Sequence, residues 1–237
     1  MYLFIVRHGE PDYENDCLTE KGKREAFLTA ERLMIDRIDE IHASPLGRAQ
    51  ETASYLAEKA GLPILTEPWA SELDHTTQSA MFTGEPIGIG IFPSTYLEAP
   101  EHRKMTPEEA LAKLPGLCDT GFPRKYRELC SGLDDLLFRC GYQRTPEGFY
   151  FPLAPSGKHI ALYCHGAMIR SLLGHLFNFP YPFLGSSFHE NHCGVTILRF
   201  DSDTGSSFVP KLLAFGDIGH LYQDGNCPCF YLDGDPF

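Results

Sequence analysis

The sequence predicts an α/β fold, a three-layer α/β/α sandwich with a mostly parallel central sheet and an inserted cap region. Two observations carry that expectation. Short apolar runs alternate with amphipathic helical stretches along residues 1–66, and again along 159–215. Such alternation places helices on both faces of a sheet. From about 74 to 155 the alternation stops, and the chain becomes rich in Gly and Pro. That stretch reads as an insertion within one domain spanning 1–237, placed beside the rim where it would act as a lid.

Each element follows from local pattern. Tyr2 to Val6 is β-branched and aromatic, a buried strand. Thr19 caps a helix striped by Ala26, Phe27, Ala30, Leu33 and Met34. Ile38 to Ala43 reads as a second strand. Ser44-Pro45 looks like a helix start, Ser as N-cap and Pro at the first helical position. Leu46, Ala49, Ala53, Leu56, Ala57 and Ala60 then line one face, and Gly61 ends the helix. Ile64-Leu65 suggests a short strand. Within the insertion, helices are expected at Pro107–Leu114 and Pro123–Cys140. His159 to Cys164 is a strand leading into a helix striped by Ile169, Leu172, Leu173, Leu176 and Phe177. Cys193–Phe200 and Leu212–Phe215 close the pattern.

Composition narrows the function. Of 237 residues 43% are hydrophobic and 22% charged, and the net charge is −12 with no basic run. Nucleic acid and anionic membranes are therefore not expected partners, since both require a positive footprint. The apolar start, Met1 to Val6, is too short for an export signal, and no stretch approaches the ~18 apolar residues of a membrane span. A cytoplasmic protein with reduced cysteines is expected, Cys227-Pro-Cys229 included. The oligomeric state is not legible; a homodimer is one open arrangement.

The chemistry-bearing residues sit where strands stop. Arg7-His8-Gly9 follows the first strand, and Cys164-His165-Gly166 follows a later one and opens a helix. Ligands in such folds gather at the carboxyl ends of strands. A helix N-terminus favours an anion. Arg7 and Arg48 together form a candidate phosphate clamp, because guanidinium groups match phosphate oxygens. Two histidines, two arginines and a helix terminus on one rim suit phosphoryl transfer. Spacing alone does not say which histidine is attacked. His189-Glu190-Asn191-His192 lacks the spacing of a helical metal motif, so neither metal nor cofactor is expected. His159 and His175, inside a strand and a helix, read as structural.

These motifs resemble the histidine phosphatase superfamily, which includes the cofactor-dependent phosphoglycerate mutases. Arg7-His8-Gly9 matches its RHG signature, Leu18 to Gly22 its LTxxG stretch, and Ser44 to Ala53 its SPLxRAxxTA segment. Glu72-Leu73 sits where the family keeps its acid, and Cys164-His165-Gly166 matches the late HG element. The resemblance implies His8 as nucleophile, forming a phosphohistidine, with Arg7, Arg48 and His165 binding the phosphoryl group and Glu72 donating the proton. Asp74 and His75 are the alternative acids. Gly9, Gly166 and Asn15 complete the expected substrate contacts, Asn15 being the nearest match to a family Asn. The acidic loop Glu10-Pro11-Asp12-Tyr13-Glu14 departs from the family pattern. The expected activity is metal-independent hydrolysis of a small phosphorylated metabolite. A phosphoglycerate mutase-like transferase and a catalytically silent phospho-ligand binding module remain the alternatives.

Overall fold

The computed structural model describes residues 1–73, 100–102, 104–113, 118, 121–201, 203 and 205–222, with the backbone of 78–79, 87–88 and 223–224. Asp74, His75, most of the predicted insertion before residue 100, and Cys227 and Cys229 with the rest of the tail lie outside the described residues. In chain order the elements are β1 (Tyr2–Arg7), β2 (Pro11–Asp12), β3 (Cys17–Leu18), α1 (Glu20–Asp36), β4 (Glu40–Ala43), α2 (Gly47–Ala60) and β5 (Ile64–Thr66). A 3-10 turn at Pro68–Ala70 precedes β6 (Gln78–Ser79), β7 (Ile87–Gly88), α3 (Pro107–Lys113) and α4 (Phe122–Arg139). Then come β8 (Tyr142–Arg144), β9 (Tyr150–Pro152), β10 (His159–Cys164), α5 (Gly166–Phe177), α6 (Tyr181–Ser187), β11 (Val195–Arg199) and β12 (Lys211–Asp217).

Six strands form the central sheet in the order β12-β11-β1-β10-β4-β5. β1, β10, β4 and β5 run parallel, and β11 and β12 join antiparallel at one side. The pleat sorts side chains by period two. On β1, Phe4 and Val6 face α1 and α2 beside Ala30, Leu33, Ala53 and Leu56. Leu3 and Ile5 face the opposite layer, with Leu129, Leu133 and Leu137 of α4 and Met168, Ile169 and Leu172 of α5. β10 repeats the split, Ala161 and Tyr163 to the first side and Ile160, Leu162 and Cys164 to the second. The three layers are thus two faces of alternating hydrophobes, each covered by a helix pair.

Several local expectations need correction. α2 begins at Gly47, and its N-cap, Leu46, makes no side-chain cap bond. Ser44 is not the cap: its hydroxyl oxygen accepts the Leu46 amide at 3.3 Å and its side chain turns to His165 instead. Met34 is 42% exposed, because the buried stripe of α1 runs through Ala26, Ala30 and Leu33 and leaves Met34 on the outer side. The short hairpin of β8 and β9 and the helix α6 carry no period long enough to read from sequence. Thr19 does cap α1, accepting the Gly22 amide at 3.1 Å, and Gly61 ends α2 at φ 66°. The six described cysteines are free thiols. Among the described residues no helix is long and apolar enough to cross a membrane.

α4 lies within the sequence segment 74–155, yet it is part of the helical layer. Its Gly132 packs directly on the Trp69 ring, where a Cβ would lie 2.2 Å from Cγ. Arg139 reaches Glu67 at 2.6 Å, and Lys125 reaches Ser71 Oγ at 2.7 Å. Large-to-small changes in such a core cost the transfer energy plus a cavity term. Leu133→Ala should therefore lower unfolding free energy by about 2–5 kcal/mol in urea titration. A change near zero would mean that α4 is not seated in the core.

Candidate active site

The sheet register builds the site. β1 pairs with β10 so that Arg7 lies opposite Cys164, and β10 pairs with β4 so that Tyr163 lies opposite Ala43. The next residues, His8, His165 and Ser44, therefore emerge side by side at one rim. β11 arrives antiparallel with Val195 opposite Val6. That brings the preceding loop to the same rim, where the Cys193 amide donates to the carbonyls of Arg7 and His8 at 3.1 and 3.2 Å.

His8 is 1% exposed. Its Nδ1 lies 2.7 Å from the Gly9 carbonyl, which can only accept. Nδ1 therefore carries the proton, and in the neutral ring Nε2 presents a lone pair. Arg48 Nε points at that atom from 3.4 Å. Burial first, then the neighbouring Arg7, pushes the His8 pKa down to about 3, so the ring is neutral at ordinary pH. The loop that holds it is pinned: the Gly9 amide donates to Thr52 Oγ1 at 3.0 Å, and Thr52 Oγ1 donates to the Arg48 carbonyl at 2.7 Å. Gly9 and Gly22 permit this turn, because a Cβ on Gly9 would meet the Gly22 carbonyl at 2.7 Å.

The His165 ring lies 5.2 Å from that of His8, centroid to centroid. Its Nε2 is 2.7 Å from Ser44 Oγ. The Ser44 hydroxyl carries one proton and two lone pairs, so it pairs with Nε2 in either tautomer of the ring. The ring's Nδ1 is buried without a hydrogen-bond partner and stands 4.0 Å from Glu72 Oε2. Burial, with His8 and Arg48 adding to it, holds the His165 pKa well below the usual histidine range. Gly166 opens α5 directly behind, and Arg7 Nε would lie 3.4 Å from a Cβ there. Arg7 Nε is itself buried and unpartnered, while its Nη1 donates to the Glu190 carbonyl.

Glu72 follows the 3-10 turn. The turn is anchored by Glu67, whose oxygens take His42 Nδ1 at 2.9 Å and Trp69 Nε1 at 2.6 Å. Desolvation raises the Glu72 carboxyl above its ordinary range, against the opposing pull of the Leu73 amide, Arg48 and Arg7. His8, His165, Arg7, Arg48 and Glu72 thus lie together at this rim, with Gly9 and Gly166 shaping the backbone around them.

Asn15 is not gathered. It is exposed, and its amide donates to Asp12 Oδ2 at 2.8 Å. The loop residue that reaches the cluster is Asp16, 2.5 Å from Arg48 Nη1. Two other acids of this loop turn elsewhere, Glu10 to Lys21 at 2.5 Å and Asp12 to Asn15. Sequence reasoning also passed over Glu190, His192 and Arg170. The His192 ring is 5.5 Å from His8, and burial with Arg7 pushes its pKa down to about 2. Glu190 is 1% exposed beside Arg170 at 3.5 Å, and burial raises its carboxyl to about 7. The signal was the His-Glu-Asn-His run itself, polar residues just before a buried strand. Among the described residues no group of three His, Cys, Asp or Glu is placed to hold a metal ion. His175 pairs with Asp134 at 2.9 Å and His159 with the Asp36 carbonyl at 2.5 Å, away from this cluster.

Part of the chain is similar in sequence to known proteins, and most of it is similar in fold. The family described as histidine phosphatase superfamily (branch 1) matches residues 3–86. A probable phosphoglycerate mutase, GpmB, of Yersinia enterocolitica is 36% identical over 83 residues, 31% of this chain and 39% of that protein. Phosphoserine phosphatase 1 of Hydrogenobacter thermophilus is 34% identical over 92 residues, 35% of this chain and 44% of that one. The matches thus span less than half of these relatives' lengths. Among solved structures, a mutant phosphoserine phosphatase of Entamoeba histolytica in complex with phosphoserine superposes with TM-score 0.60 at 20% identity, covering 93% of this chain and 98% of that one. A mycobacterial glucosyl-3-phosphoglycerate phosphatase with inorganic phosphate gives 0.62 at 20% identity, covering 92% and 98%. At these identities the likeness is one of fold.

The protonation states are open to direct measurement. An unfolded chain binds a proton on each of these rings below about pH 6.5. The folded chain does not, so both rings favour unfolding as pH falls from there toward the folded values. Imidazole 15N spectra should show His8 protonated at Nδ1 only, with neither His8 nor His192 titrating between pH 7 and 5. A His8 midpoint near the ordinary histidine value would contradict the buried, neutral geometry.

Proposed function

We propose that this chain, which carries the histidine phosphatase superfamily's segment at 3–86 on a fold shared with solved phosphatases, is a metal-independent phosphomonoesterase acting on a small phosphorylated metabolite. The observation that supports it best is the state of His8: neutral, its Nδ1–H held by the Gly9 carbonyl, its Nε2 lone pair set among two arginines and a second histidine. A phosphoryl group needs such donors around its equatorial oxygens and a nucleophile in line with the leaving oxygen.

In this reading His8 Nε2 attacks phosphorus as the ester oxygen departs. Arg7, Arg48, His165 Nδ1 and the first amides of α5 hold the three transferred oxygens. Glu72, whose carboxyl desolvation raises above its ordinary range, gives its proton to the leaving oxygen. The resulting phosphohistidine on His8 is then opened by water, from which the Glu72 carboxylate takes a proton. Phosphate leaves and both residues return to their starting states. The Yersinia relative's name favours a second reading, phosphoryl transfer between positions of a phosphoglycerate, which the same core would perform with retention of the phosphoryl group.

Hydrolysis of p-nitrophenyl phosphate in the presence of a chelator tests the proposal. Wild type should turn over, and His8→Ala should lose at least roughly 10³-fold in kcat/KM. Glu72→Gln should cost about 10²–10⁴-fold on an alkyl phosphate and much less on p-nitrophenyl phosphate, whose leaving group needs little protonation. Activity retained by His8→Ala would remove the assignment. Isomerisation of a phosphoglycerate without net phosphate release would move the reading to the mutase.

A further inference from the structure

Arg48 is not presented to the site as an isolated cation. Asp16 Oδ1 lies 2.5 Å from its Nη1, and Asp16 Oδ2 accepts the Gly47 amide, the first of α2, at 2.6 Å. The carboxylate thus sits on a helix N-terminus and a guanidinium together, the combination that attracts a phosphate oxygen. Two backbone features allow it. Asp16 adopts φ 47°, in the left-handed region that favours glycine. Gly47 has no side chain, and a Cβ there would lie 2.2 Å from the Asp16 carbonyl. Leu46 supplies no cap, so Asp16 serves α2 as a cap borrowed from the preceding loop. About two-fifths of its side chain is exposed, leaving a path out to solvent.

We propose that Asp16 is an anion built into the phosphate clamp, competing with the phosphoryl group for Arg48 and the first amide of α2. Substrate binding displaces its carboxylate, and product phosphate leaves as the carboxylate returns. The inference rests on the phosphatase reading for its consequence in turnover, but not for its effect on anion affinity. Glu10 and Asp12 are committed to Lys21 and Asn15, while Asp16 contacts the clamp. The other titratable groups facing Arg48 are the neutral His8 on β1's exit, His165, and Glu72 beside it. The alternative role for Asp16, holding Arg48 in its working orientation, predicts the opposite sign on every measurement below.

Inorganic phosphate binding by titration calorimetry at pH 7 separates them. Asp16→Asn keeps the shape and an oxygen for the Gly47 amide while removing the charge. Phosphate should bind it about tenfold more tightly than wild type, the scale of one charge-assisted hydrogen bond exchanged. KM for p-nitrophenyl phosphate should fall by a similar factor, with kcat not raised. Asp16→Ser, which retains an acceptor for the cap, should move the same way and serves if the first variant unfolds. Equal or weaker phosphate binding in both variants overturns the proposal. Tighter phosphate binding without turnover in wild type would leave the clamp anion standing and remove the phosphatase reading. Turnover in wild type with unchanged affinity in the variants would do the reverse.

Discussion

The register between β1 and β10 is the constraint on which the rest of the site depends. With Arg7 opposite Cys164, His8 and His165 leave the sheet at the same level, and a one-residue slip would turn their strands' side chains to the wrong faces. That register is specified from both sides. Leu3 and Ile5 share one core with Ile160 and Leu162, while Phe4 and Val6 share the other with Ala161 and Tyr163. Two hydrophobic layers therefore place two histidines within 5.2 Å without any direct bond between them.

Burial then decides the chemistry. His8 and His165 are desolvated beside Arg7 and Arg48, and His192 beside Arg7, and both effects oppose a proton on the rings. The same desolvation acts in reverse on Glu72 and Glu190, raising both carboxyls. One environment thus disfavours charge on imidazoles and carboxyls alike, the tendency a neutral nucleophile and a proton donor require. Arg7 and Arg48 bring positive charge to this rim. Asp16 offsets part of that charge at Arg48, and the Glu190 carbonyl orients Arg7.

α4 shows how a segment outside the alternating pattern can serve the site without touching substrate. Its apolar face closes the second core, and it fastens the Glu67–Ser71 segment through Arg139 to Glu67, Gly132 on the Trp69 ring and Lys125 to Ser71. The acid is thereby supported by a helix that the sequence assigns to an insertion.

What the sequence determined by itself was everything governed by short-range pattern. The period-two runs and apolar stripes marked the strands and helices of the central sheet. Thr19 and Gly61 marked helix ends, Arg7-His8-Gly9, Arg48 and His165-Gly166 marked candidate site residues, and Glu72 entered through the family resemblance. What only the tertiary structure decided was how side chains with more than one available partner were used. Ser44 could cap α2 or turn to His165; strand placement put His165 within 2.7 Å and settled it. Asn15 and Asp16 are neighbours in one loop, and the left-handed turn at Asp16 with the bare Gly47 backbone sent Asp16, not Asn15, to Arg48. Glu190 and His192 lie far from His8 in sequence, and the antiparallel return of β11 brought them to its rim. Such choices depend on contacts between distant segments, for which a linear pattern has no period.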